Sequence, residues 1–140
     1  MATKDLHTLI RIRKWDVDEK QRALGMLLRK EETLLDNLAA LEDEKRREAA
    51  FVGQADAVKG FTFAAFLARC DERKKVMNTL LAEVRRTIDE ARDELAESYR
   101  ALKTYEVTQE DRDDAEEKEQ AHKTQLDLDE IGLTLHRRKA

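Results

Sequence analysis

The fold is decided by residues 77–105, which read MNTLLAEVRRTIDEARDELAESYRALKTY. Apolar or small residues recur along this stretch at alternating steps of four and three, the spacing of the packed face of a coiled-coil helix. A second stretch, residues 10–41, carries apolar residues on one helical face in the same way. Together the two faces form the seam: Ile10, Val17, Leu24, Leu27, Leu34, Leu38 and Leu41, then Met77, Leu81, Val84, Ile88, Ala91, Leu95, Ser98, Leu102 and Tyr105.

The two halves of the seam match each other if the chain folds back on itself. Antiparallel partners have residue numbers with a constant total, and the pairs 10 with 105, 17 with 98, 24 with 91, 27 with 88, 34 with 81 and 38 with 77 all total 115. The midpoint lies near residues 57 and 58, and Gly53 and Gly60 flank it as turn-forming residues. The sequence therefore predicts an all-α fold, a long two-helix antiparallel coiled-coil hairpin.

The same register gives the bounds of the elements. We expect a single hairpin domain over residues 1–140, with helix one at about 4–52, a connector at 53–61 and helix two at about 62–137. Gly53 would end helix one in a left-handed cap, and Thr62 would be the N-cap of helix two. Residue 114 lies opposite residue 1, so the C-terminal helix overhangs by residues 115–140, roughly 40 Å at 1.5 Å per residue.

Composition supports a thin hairpin rather than a compact globule. Charged residues make up 41% of the chain and aromatic residues 5%, so it can bury a narrow stripe and little more. There is no proline to interrupt a helix and there are only four glycines. Residues 4–30 carry eight basic and four acidic side chains, whereas residues 89–114 carry ten acidic and four basic ones. These opposite charges favour antiparallel closure in this register.

Several function classes have no support in the sequence. The three histidines are not spaced as metal ligands, and no glycine-rich phosphate loop is present, so we expect neither enzyme activity nor a cofactor. The basic clusters at 11–14 and 136–139 are short and the net charge is −4, which argues against nucleic-acid binding. One cysteine excludes an internal disulfide, and no segment has the apolar length needed for membrane insertion. We expect a soluble cytoplasmic protein.

Three surfaces are candidates for partner binding. The first is the aromatic opening of helix two, which either caps the hairpin or docks a partner. Cys70 follows on the extension of the seam and is expected to pack as a small apolar residue. The second candidate is Trp15, which points outward if the helix faces its partner along the seam. Arg13 and Lys20 occupy seam positions, however, so a slight rotation of the helix that turns Trp15 inward stays open. The last surface is the terminal stripe of Leu126, Leu128, Ile131, Leu133 and Leu135, which has no partner within the chain and therefore predicts one outside it.

The sequence resembles the FliJ family of flagellar export proteins over nearly its whole length. The resemblance rests on residues 9–20, LIRIRKWDVDEK, on the aromatic segment 61–67, FTFAAFL, and on the ending 125–133, QLDLDEIGL, followed by HRRK at 136–139. It implies a cytoplasmic component of the flagellar type III export apparatus, associated peripherally with the inner membrane and related to the YscO-type stalk proteins of injectisomes. We expect the protein to be a monomer in isolation.

The resemblance implies partners as well. The family's rod enters the hexameric ring of the export ATPase FliI, promotes its assembly and activity, and links it to the export gate protein FlhA; it also acts as an export chaperone and meets other export chaperones. Phe66 matches an aromatic residue that the family uses for gate binding, and the next positions of that face differ from the family's apolar and histidine residues. The implied gate contact, which we call the tip face, comprises Phe61, Phe63, Phe66, Cys70, Arg73 and Met77. The residue pattern assigns the ring contact to Trp15, the terminal stripe, Arg137 and Arg138.

Two alternatives remain at this level. A structural coiled-coil module could associate with itself through the terminal stripe and have no ATPase partner. A holding chaperone could present the phenylalanines of the tip to unfolded clients. Deletion of residues 126–140 separates the stalk from the self-assembling module, because only the stalk would lose ATPase stimulation while staying monomeric.

Overall fold

Two long helices make up the protein. The structure, a computed structural model, describes residues 5–53 and 57–139, and for residues 57–61 it describes the backbone alone. Helix α1 spans His7–Val52 and helix α2 spans Ala57–Lys139, and the two helices pack against each other. Neither described range contains a strand. The predicted all-α helical hairpin is confirmed.

The connector is shorter than the sequence indicates. Helix α2 begins at Ala57, five residues before the predicted start, so Thr62 lies inside the helix and is not its N-cap. Gly60 also lies within α2, since one glycine costs a helix only about 1 kcal/mol relative to alanine. Helix α1 ends at Val52, as predicted, and residues 54–56 lie outside the described part of the chain.

The two ends of α1 are satisfied in different ways. At the N-terminus the Asp5 carboxylate Oδ1 accepts a hydrogen bond from the His7 N–H at 2.9 Å, which satisfies one of the N–H groups that have no partner within the helix. At the C-terminus the Gly53 N–H donates to the Ala49 carbonyl at 3.1 Å, continuing the helical pattern by one residue. No described glycine has a positive φ, so the predicted left-handed cap at Gly53 is wrong. A regular helical bond takes its place.

The chain forms two compact units, and the first consists of Met1–Val17 with Glu97–Ala140. Its packed face combines apolar residues with polar ones. Ile10, Val17 and Leu102 are buried, and Ser98 is buried among them. The Arg13 guanidinium lies over the Tyr105 ring at 5.5 Å from its centre, a cation–π contact that lets a basic residue occupy the seam.

Gln109 extends the seam of this unit one step beyond Tyr105. It is 7% exposed, and its amide oxygen accepts a hydrogen bond from the Leu6 N–H at 2.8 Å. Its amide nitrogen donates to Asp113 Oδ1, also at 2.8 Å. Leu6 and Gln109 total 115 in residue number, so the predicted register is confirmed at this end of α1.

The second unit, Asp18–Ala96, has the more apolar packed face. Leu41, Cys70, Leu81, Val84 and Ile88 are buried, and burial of each large side chain contributes about 1.5–3 kcal/mol. The other predicted seam residues of the unit are half-buried. The seam is therefore confirmed as the packed face, while a single domain over residues 1–140 stays a prediction.

Ion pairs between α1 and α2 report the register of the second unit independently. Glu31 pairs with Arg85 at 3.2 Å, Glu42 with Lys74 at 3.3 Å and Lys45 with Asp71 at 3.8 Å, and each pair totals 116 in residue number. The hydrogen bond from Lys74, together with the nearby charge of Lys45, holds the pKa of the Glu42 carboxyl below its ordinary value.

Candidate partner-binding surfaces

The tip face lies along one side of α2 in the second unit. Phe63, Phe66, Cys70, Arg73 and Met77 follow one another at steps of three and four, which brings them onto one helical face. The rings of Phe63 and Phe66 stack, with centroids 6.2 Å apart and planes inclined by 22°, and both side chains are half-buried. The side chain of Phe61 lies outside the described residues.

Only part of the tip face reaches the surface. Cys70 is 1% exposed and Met77 is half-buried, because both continue the seam and pack toward α1. The expectation that Cys70 packs as a small apolar residue is confirmed. Arg73 is exposed and Phe66 partly so. A partner that meets this face therefore contacts its outer edge, at Phe66 and Arg73.

The sequence analysis missed three exposed apolar residues beside that edge. Val76 is 58% exposed, Leu80 is 43% exposed, and Phe51 at the end of α1 is 58% exposed. Leu80 follows Arg73 by seven residues, as Arg73 follows Phe66, so the three share one helical line. That heptad spacing is the signal that could have found Leu80. Phe51 lies off the seam and next to the end of α1, where the periodicity of apolar residues does not predict which side chains are exposed.

Trp15 lies on the outer side of α1 in the first unit. It is 63% exposed, and Ile12, one turn before it, is 55% exposed. Trp15 therefore points outward. The helix does not need to rotate to accommodate Arg13 at a seam position, because the long Arg13 side chain reaches the ring of Tyr105. Trp15 is thus accessible to a partner.

The terminal segment, residues 115–139, is a helix exposed along its whole described length. All five residues of the terminal stripe are exposed, with values between 53% and 59%. The ring of Tyr105 contacts Arg13 of α1, and about 30 Å of helix separates Tyr105 from Leu126. The predicted ring contact is therefore divided, with Trp15 in one place and the terminal stripe in another.

The terminal stripe is in fact two stripes, which corrects the sequence analysis. At about 100° per residue, Leu126 and Leu133 share one side of the helix. Leu128, Ile131 and Leu135 lie about 140–200° around from Leu126, on the opposite side. A single groove would cover one of these sides and leave the other in water. A cavity that surrounds the helix would cover both.

Charge changes sign along the terminal part of α2. Residues 110–119 include seven carboxylates, and the last turn carries His136, Arg137, Arg138 and Lys139. The basic end lies at a helix C-terminus, where the backbone dipole favours cations. Arg137 and Arg138 are exposed and available to acidic groups of a partner.

Comparison with known families gives a match that spans nearly the whole chain. The model described as "Flagellar FliJ protein" matches residues 3–140. The chain belongs to the FliJ family. FliJ membership gives it a flagellar role associated with protein export. A search of curated proteins and of solved structures found no match to the chain.

The FliJ assignment agrees with the surfaces seen in the structure. In the described parts of this FliJ-family chain, no helix combines the length and apolarity that crossing a bilayer requires. What the chain offers instead is exposed side chains on long helices: the outer edge of the tip face, Trp15 and the terminal segment. These side chains are accessible to other proteins.

Proposed function

We propose that this protein is a non-enzymatic stalk and adaptor of the flagellar type III export apparatus. Its terminal segment inserts into the hexameric ring of the export ATPase FliI, and its tip face binds the export gate protein FlhA. The protein works in the cytoplasm, in peripheral association with the export apparatus of the inner membrane. Family membership supports the export setting, and the two-sided apolar terminal segment supports the ring.

The terminal segment carries the proposal. Leucines and an isoleucine on two opposite sides of one helix are more than half exposed, so covering them removes apolar area from water on both sides. The bore of a ring surrounds a helix, whereas a surface groove does not. The basic last turn adds cations that can pair with carboxylates lining such a bore.

Insertion explains how a stalk that takes no part in the chemistry could stimulate an ATPase. A ring with six equivalent interfaces has no reason to close one before another. An asymmetric helix in the bore contacts the six subunits unequally and so favours closure at some interfaces over others. Differential contact of this kind is what coupling between two sites requires.

The experiment measures ATP hydrolysis and ring assembly by purified FliI with the full-length protein. Two double variants weaken one apolar side each: Leu126→Ser/Leu133→Ser removes both leucines of one side, and Leu128→Ser/Leu135→Ser removes two of the three apolar residues of the other. A matched control, Leu28→Ser/Leu35→Ser, changes two leucines of α1 that are 37% and 41% exposed. We expect each terminal variant to raise the concentration needed for stimulation by about tenfold or more, and the control to match the wild type.

Other outcomes point to other functions. Loss of stimulation in one terminal variant alone would indicate docking in a groove and refute insertion into a bore. If deletion of residues 126–140 dissolves an oligomer and leaves ATP hydrolysis unchanged, the protein is a self-associating module. If Phe63→Ser/Phe66→Ser abolishes protection of unfolded clients while no variant affects the ATPase, it is a holding chaperone.

A further inference from the structure

The face of α2 that the family resemblance assigns to the gate is only partly exposed. Of the four positions carried over, Cys70 is buried and Arg73 is exposed. Phe66 and Met77 are both half-buried, but Met77 lies on the seam that faces α1, whereas Phe66 lies beside the seam. Two outward-facing positions, Phe66 and Arg73, form a small contact. The partner therefore needs further surface next to Phe66 and Arg73.

The structure supplies that surface on the side of α2 away from the seam. Arg69 and Val76 lie one turn from Arg73 on either side, and Leu80 lies two turns beyond it. Arg69 and Arg73 are exposed, Val76 is 58% exposed and Leu80 is 43% exposed. From Phe66 to Leu80 the line runs about 21 Å along the helix.

Helix α1 adds an aromatic residue at the end of this line. In the register reported by the ion pairs of the second unit, Phe51 lies level with Phe66. Phe51 is 58% exposed. The outer strip, as we name this surface, consists of Phe51, Phe66, Arg69, Arg73, Val76 and Leu80.

We propose that the outer strip, rather than the seam-facing positions of the tip face, is the docking surface for the export gate. This inference rests on the proposed function. The strip is continuous with Phe66 and Arg73, and it joins apolar side chains to two arginines one turn apart. Its partner surface is accordingly an apolar ridge or groove flanked by carboxylates, since arginine pairs with carboxylates in bidentate geometry and aromatic and arginine side chains dominate protein interfaces.

The arginines give the contact a salt dependence that an apolar face alone would lack. Exposed charges interact over about 10 Å at 0.1 M salt and much less at higher salt. Binding should weaken as salt is raised. Replacement of Arg69 and Arg73 by glutamate should weaken binding at low salt, and the loss should shrink at high salt.

The test is binding of the full-length protein to the purified cytoplasmic domain of the gate protein, by calorimetry at two salt concentrations. Val76→Ser/Leu80→Ser should weaken binding by about tenfold or more, and Phe66→Ser should do the same. Leu28→Ser/Leu35→Ser on α1 is the matched control and should bind as the wild type. Circular dichroism and thermal melting check that each variant keeps its helices.

Each result decides the proposal. Weakening by both the Val76/Leu80 and the Phe66 variants, with an unaffected control, supports the outer strip. If Phe66→Ser weakens binding and the Val76/Leu80 and Arg69/Arg73 variants do not, the strip is wrong while the gate function stands. If the wild type does not bind the gate protein, the gate contact of the proposed function fails and the strip fails with it.

Discussion

Replacing Gln109 by alanine should release the N-terminal turn of α1 from α2. Gln109 is buried, and its amide oxygen accepts the Leu6 N–H at 2.8 Å across the two helices. Leu6 itself precedes the first helical residue, and its carbonyl accepts the N–H of Ile10 at 2.8 Å. The Gln109 side chain thus acts as a cap supplied by the other helix.

The cost follows from what the substitution leaves behind. Loss of a capping acceptor costs about 0.5–2 kcal/mol, and loss of one hydrogen bond with a partly buried donor costs about 1 kcal/mol. We therefore expect about 1–2 kcal/mol for opening of this turn, which corresponds to a factor of about 5–30 in its open population. Asp113→Ala keeps the acceptor on Gln109 and should have a smaller effect.

Amide hydrogen exchange followed by NMR measures the opening directly. The amides of Leu6 and Ile10 should exchange about 5–30 times faster in Gln109→Ala than in the wild type. The control is Gln125→Ala, because Gln125 makes the same bond to an aspartate four residues on, Asp129, at 3.0 Å on an exposed helix. Equal exchange at Leu6 and Ile10 in the two variants would refute the capping role of Gln109.

Three further predictions follow from burial and charge. Ile88→Ala should lower the free energy of unfolding by about 2–5 kcal/mol in denaturant titration, because Ile88 is 2% exposed. Ile131→Ala, at a residue that is 56% exposed, should leave the free energy of unfolding unchanged. Equal losses in the two variants would contradict burial of the seam. Because the pKa of Glu42 is lowered, its ion pair adds to the free energy of unfolding above the ordinary glutamate pKa, and this contribution disappears as pH falls through the lowered pKa. Glu42→Gln should therefore reduce the loss of stability on acidification. Glu72→Gln should not, because the pair of Glu72 with Lys75 lies within one helix. The Cys70 thiol should react with a thiol reagent far more slowly in buffer than in denaturant, since it is 1% exposed, and equal rates would contradict its burial.

The fold could be predicted because a hairpin repeats one signal many times. Each seam position, such as Leu34 or Ile88, supports the same period and the same register total, so single exceptions do not matter. The ends of the helices were harder to predict. Gly53 and Thr62 looked like cap residues, yet local preferences of about 1 kcal/mol were outweighed by continuation of the helix.

The candidate surfaces could be predicted less completely, for a geometric reason. A seam pattern indicates which residues face the other helix. It does not indicate which of the remaining, outward-facing residues bind a partner. Cys70 and Met77 were assigned to a partner although they continue the seam, while Val76 and Leu80 were passed over because they lie one position beside it. The terminal stripe was treated as one face because its residues are close in sequence, although steps of two and five turn a helix to opposite sides.

The first unit also shows how a coiled coil with a weak seam keeps its register. Ser98, Gln109 and the Arg13–Tyr105 pair occupy positions that apolar residues fill in the second unit, so apolar burial alone specifies the pairing less strongly there. Hydrogen bonds and cation–π contacts are directional and lose their energy when the helices slip by one residue. The hydrogen bond between Gln109 and Leu6 consequently helps to hold the first turn of α1 in register with α2, and the exposed terminal segment lies beyond it. The register at this end of the hairpin is thus held in part by a polar contact between the helices rather than by apolar burial alone.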